Sequence, residues 1–179
     1  MESTYASAYR APQGGRAGAA EEEVNGSGTA VRTFAVRQET NHRFRPYMED
    51  GFKVLDPYLG DPNQGFFALY DGHGGAQAME YCRSRLHEEM RKALTEVPDD
   101  VELALKRCFD KVDNQLRLTG AQTTGTTATV CLVRKERGQR YLYVGNVGDS
   151  RAVMVSNSGV TRLTTDHKVS DPAEMERIR

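Results

Sequence analysis

Residues 66–70 read Phe-Phe-Ala-Leu-Tyr, and Asp71, Gly72, His73, Gly74 and Gly75 follow directly. An unbroken apolar run of this length predicts a strand covered on both faces, so the chain must build layers on either side of it. A carboxylate closing such a strand is costly unless a cation or several donors meet it. The glycines let the backbone turn sharply and let a carbonyl or a ligand approach closely. An aspartate before glycines is also what an ordinary β-turn contains, and taken alone the turn is the simpler reading.

The flanking sequence supplies the layers. Residues 29–38 alternate and are β-branched, and residues 48–56 repeat the pattern, so both read as strands joined to 66–70 through the Pro- and Gly-rich loop 57–65. Met79, Cys82, Leu86, Met90 and Leu94 recur at helical spacing, as do Val101, Leu105, Cys108, Val112 and Leu116 beyond Pro98. Asp99 with Glu102 reads as a capping box for the second helix. Strands return at 125–135, 140–147, 151–156 and 160–164. Strands, then two helices, then strands predict segregated α+β layers rather than alternating βαβ units. Residues 1–28, rich in Gly, Ala, Ser and Glu, carry no periodicity and read as a disordered tail, leaving 29–179 as the domain.

Several function classes are disfavoured by composition. A net charge of -1 gives no field for nucleic acid or an anionic membrane surface. No apolar stretch approaches the roughly 18 residues of a spanning helix. Cys82, Cys108 and Cys131 are odd in number and sit in apolar patterns, which fits buried, reduced thiols in a cytosolic or nuclear protein. The absence of any CxxC or HxxxH pair argues against zinc.

Asp71 is not the sole acid at a strand end. Glu49 and Asp50 open the neighbouring strand, where alternation lets one of them face a given layer, and Asp149 follows Gly148 after the apolar run 143–147. Three acidic positions at strand ends predict one acidic cluster, and oxygen-only ligands favour Mg²⁺ or Mn²⁺.

The motifs RPYMED (45–50), DGHGG (71–75), GTTA (125–128), GDSRA (148–152) and LTTDHK (163–168) occur in that order. Together they strongly resemble the metal-dependent PPM/PP2C family of protein serine/threonine phosphatases, over roughly residues 30–179. The resemblance implies an α-β-β-α sandwich, two antiparallel sheets flanked by helices. It implies two Mg²⁺ or Mn²⁺ ions bridged by a carboxylate and a water or hydroxide. On the matching positions it makes Asp71 the bridging ligand, Gly72 a carbonyl ligand, Glu49 an acidic ligand and Asp50 the residue that orients metal-bound water. Arg45 would hold the substrate phosphate, His73 would protonate the departing oxygen, and Asp149 matches an acid linked to a weaker third metal. His42, His87 and His167 are expected to be structural or exposed, and Asp166 to hold a turn.

The family's later aspartate motifs have no counterpart here, and the helix begun by Asp171, Pro172 and Glu174 stops at Arg179. The expectation is an N-terminal portion of a phosphatase domain, monomeric when complete and acting on phosphoproteins. The alternative is a non-catalytic binding or regulatory protein on the same fold.

Overall fold

The structure, a computed structural model, describes residues 22–119 and 123–178. The apolar run becomes an inner strand, β4 (Gln64–Tyr70), of a four-stranded antiparallel sheet. Its neighbours are β3 (Gly51–Leu55) on one side and β7 (Ala128–Glu136) on the other, with β8 (Gln139–Val147) beyond β7. Phe66 stands opposite both Leu55 and Leu132. Phe66, Ala68 and Tyr70 share a face with Ala128, Val130 and Leu132, and all six are buried.

That face meets two helices, α1 (Gln77–Glu96) and α2 (Val101–Leu118). The stripe expected for α1 is buried along its length, and Val101, Leu105, Cys108 and Val112 of α2 join it in one core. Full burial of each Leu or Met contributes about 1.5–3 kcal/mol. Tyr58 spans the layers, its hydroxyl donating to the His87 carbonyl at 2.5 Å. Burial pushes the Cys82 and Cys108 thiols up to about 12, so both behave as inert core residues. The first turn of α2 is capped by Asp100, whose carboxylate accepts the Leu103 N–H at 2.9 Å. The expected cap at Asp99 is therefore displaced by one residue.

The other face of the sheet is less covered than the apolar run predicts. Leu69 remains 50% exposed, and Phe67 packs edge-to-face on Phe34 with ring centroids 6.0 Å apart. Phe34 belongs to a hairpin of β1 (Glu22–Gly26) and β2 (Phe34–Gln38). Its first strand lies inside the stretch expected to be disordered. Residues 22–26 are ordered because β2 supplies partners for their backbone, with Val24 opposite Val36. Composition cannot register a partner strand.

Residues 29–31, expected as strand, instead wrap the Asp56 carboxylate, which accepts the N–H groups of Thr29, Ala30 and Val31 at 2.8–3.0 Å. Burial alone would raise the Asp56 pKa, but these donors and the Thr29 hydroxyl outweigh it and lower it. Residues 1–21 of the expected tail lie outside the described residues.

Two short strands, β5 (Gly72–His73) and β6 (Gly125–Thr126), pair with each other beside the sheet. A separate hairpin follows, β9 (Val153–Ser156) with β10 (Gly159–Arg162). The last element is α3 (Pro172–Arg177), capped by Asp171 as its sequence predicts. The class is mixed α+β with antiparallel sheets. No described helix is long and apolar enough to cross a membrane.

Candidate active site

The sheet register sets three chain segments at one edge. Leu69 near the end of β4 faces Thr129, and Ala128 faces Val147 at the end of β8. Asp71, Thr127 and Gly148 are the residues just beyond. The Asp71 N–H donates to Thr127 Oγ1 at 3.1 Å, and the Thr127 N–H donates back to the Asp71 carbonyl at 2.8 Å. Asp71 itself is exposed, so its carboxylate escapes the desolvation cost that a buried strand end would impose.

The glycines around it allow close approaches. A Cβ on Gly72 would sit 2.3 Å from the Glu49 carbonyl oxygen, so any side chain there would displace backbone. Pairing of Gly72 and His73 with Thr126 and Gly125 lays the His73 ring over Gly125, where a Cβ would sit 2.4 Å from His73 Nε2. Gly75, at φ +128°, donates its N–H to Glu49 Oε1 at 2.6 Å.

Strand β3 starts at Gly51, later than expected, so Glu49 and Asp50 precede the pleat and are not bound by its alternation. Glu49 turns to the glycine loop, while Asp50 meets Asp71. Burial, then the Asp71 charge and a hydrogen bond to the Asp71 carboxyl, raise the Asp50 pKa; Arg45 opposes them and Glu49 adds to them. The structure thus brings Arg45, Glu49 and Asp71 within electrostatic reach of Asp50. Asp149 stands apart from this pair, its carboxylate 4.0 Å from Lys168 Nζ.

Two carboxylates in contact concentrate negative charge, and the groups they offer are all oxygen donors. That chemistry fits a hard divalent cation. Among the described residues, however, no group of three or more His, Cys, Asp or Glu is gathered as a ready metal cage.

Asp166 has a different environment. Arg151 reaches it with Nε at 3.2 Å and Nη2 at 2.7 Å, and Arg162 Nη2 lies at 2.5 Å. The Arg151 hydrogen bond above all holds its carboxyl down to about 2. It clamps the turn after β10. His87 packs on Phe66, His42 is exposed, and the His167 N–H donates to the Gly148 carbonyl. Tyr47, within the RPYMED motif, is 75% exposed. Thr127 and Ser150 were missed; their hydroxyls share a bond of 2.6 Å, and the available signal was a hydroxyl residue just before an apolar strand in GTTA.

A family model described as Protein phosphatase 2C matches residues 34–179. Protein phosphatase 2C homolog 1 of Saccharomyces cerevisiae is 35% identical over 157 residues, covering 80% of this chain and 56% of the relative. The protein of the same name from Schizosaccharomyces pombe is 36% identical over 145 residues, 79% of this chain and 42% of the relative. The chain thus spans about half the length of the curated relatives it matches. Among solved structures, a Caenorhabditis elegans sex determining protein superposes with a TM-score of 0.65 at 22% identity, over 90% of this chain and 37% of that one. Serine-threonine phosphatase 2C from Toxoplasma gondii gives 0.58 at 23% identity, over 75% and 50%. These likenesses establish the fold.

Proposed function

The chain belongs to the protein phosphatase 2C family, and from that premise we propose that it serves metal-dependent hydrolysis of phosphoserine and phosphothreonine in proteins. The observation that carries the reading is the meeting of the Asp50 and Asp71 carboxyls at the sheet edge where Gly72 and His73 turn away. Asp71, Asp50, Glu49 and the Gly72 carbonyl would hold Mg²⁺ or Mn²⁺, with Asp149 at a weaker outlying position. A divalent ion bound there neutralises phosphate charge and acidifies water.

The chain's own residues do the rest. The Arg45 guanidinium offers a planar fork to phosphate oxygens, orienting the substrate. His73 would give a ring proton to the departing Ser or Thr oxygen, and Gly125 leaves the ring room to lie flat. Asp50 directs water toward phosphorus. A second reading, a phosphatase-fold binding protein, draws on one observation: the Glu49 carboxylate is tied to Gly75 at 2.6 Å.

The deciding assay uses phosphopeptides on a chain extended to the length of its relatives. EDTA should abolish turnover, and Asp71→Asn should reduce it by at least about a hundredfold. His73→Ala should slow phosphopeptide hydrolysis more than hydrolysis of an aryl phosphate, whose leaving group needs little protonation. Phosphopeptide binding without EDTA-sensitive turnover would favour the second reading.

A further inference from the structure

Thr127 holds Asp71 from both sides. Its hydroxyl accepts the Asp71 N–H and its own N–H reaches the Asp71 carbonyl, so both peptide groups of residue 71 are fixed by one partner. The Thr127 hydroxyl is in turn bonded to Ser150 Oγ at 2.6 Å. Ser150 follows the Gly148–Asp149 turn, and that turn is rigidly moored. Gly148 adopts φ +93° and packs against Thr127, whose Cγ2 would lie 2.6 Å from a Cβ there. Its carbonyl accepts the His167 N–H at 2.9 Å and the Asn146 side-chain amide at 3.1 Å. Asn146 also donates to the Thr165 carbonyl at 3.2 Å and accepts the Thr129 hydroxyl at 2.6 Å. The Thr127–Ser150 bond therefore ties the chain carrying Asp71 to a turn held by several hydrogen bonds.

We propose that Ser150 is a positioning residue: acting through Thr127, its hydroxyl fixes where the Asp71 main chain sits relative to the Gly148–Asp149 turn, and so sets how tightly the acidic pair holds a divalent cation. This rests on the phosphatase reading only in taking Asp71 as a cation ligand. A ligand must be held to within about half an ångström, which an exposed carboxylate on an untethered strand end cannot sustain. Partners behind a ligand tune affinity by holding it in place, without touching the ion.

The test is Mn²⁺ binding to the purified 179-residue chain, followed by the paramagnetic resonance signal of free ion, so no turnover is needed. Ser150→Ala should weaken binding about three- to tenfold, the loss expected of one hydrogen bond. Thr127→Val, which keeps the shape and the N–H but removes both the Ser150 bond and the acceptor of the Asp71 N–H, should weaken it at least as much. The double variant should lose no more than Thr127→Val alone, because the Ser150 bond is already absent there. Ser150→Thr should restore affinity.

Unchanged affinity in Ser150→Ala, additive losses in the double variant, or a Ser150→Thr protein as weak as the alanine would each overturn the proposal. Far-UV circular dichroism checks the fold; if Ser150→Ala unfolds, Thr127→Val and Ser150→Thr carry the same test. Asp71→Asn separates the two layers of inference. If it binds Mn²⁺ like the parent, the metal assignment itself fails. If it binds poorly while Ser150→Ala binds normally, only the positioning role fails.

Discussion

At Asp166 two arginines converge on one carboxylate, with Lys168 Nζ at 4.0 Å as a third cation. Its pKa falls from an ordinary 3.8 to about 2, led by the Arg151 hydrogen bond. The folded value is the lower one, so the clamp stabilises fully above the unfolded pKa and its contribution disappears as pH falls through the folded one. The window is therefore 3.8 down to about 2. Thermal unfolding of the parent chain should lose midpoint across this window, while Asp166→Asn starts lower and changes less. Added salt should narrow the gap, because these partners are about half exposed and screened by solvent. A variant that tracks the parent at every pH would mean that the arginines hold the turn without the charge.

Among the elements, α2 offers the cleanest measurement. Asp100→Ala removes the acceptor of the Leu103 N–H and should cost about 1 kcal/mol. Asp99→Ala touches no such bond and should stay within about 0.5 kcal/mol. Chemical denaturation of both variants decides which aspartate is the cap. One position separates the capping-box reading from the observed cap, since both residues are acidic and one turn cannot be told from its neighbour by spacing.

The helices were legible because a stripe at a period of 3.6 has one burial solution. Strand β4 was legible as a strand, but an unbroken apolar run looks the same whether one face or both are covered, which is why Leu69 escaped. Strand β1 was invisible because its order comes from β2. Asp71 and His73 stood out through their glycines. Thr127 and Ser150 did not, because their work is a contact between distant segments, and no local pattern encodes it.

For the whole molecule, the decisive feature is the sheet face turned away from the helices. Strand alternation places Phe52, Val54, Leu69, Cys131, Val133, Leu142 and Val144 there, none of them fully buried. A continuous apolar face of this kind should bind a hydrophobic fluorescent dye and draw copies of the chain together. Leu69→Lys should lower dye fluorescence and shift the chain toward monomer in sedimentation, with the helical dichroism unchanged. A parent chain that ignores the dye would mean that this face is covered in solution.

The bond from Asp71 to Thr127 closes a loop of 56 residues, and both long helices lie inside it. During synthesis the acids and His73 emerge long before the residue that secures them, so in that interval the centre exists as composition without geometry. Closing a long loop costs little more than closing one half its length. What sets the moment of assembly is the helical pair that brings the ends together. The acidic edge is thus completed late, and its timing is governed by a helical hairpin whose first turn, at Met79, packs directly against Gly72.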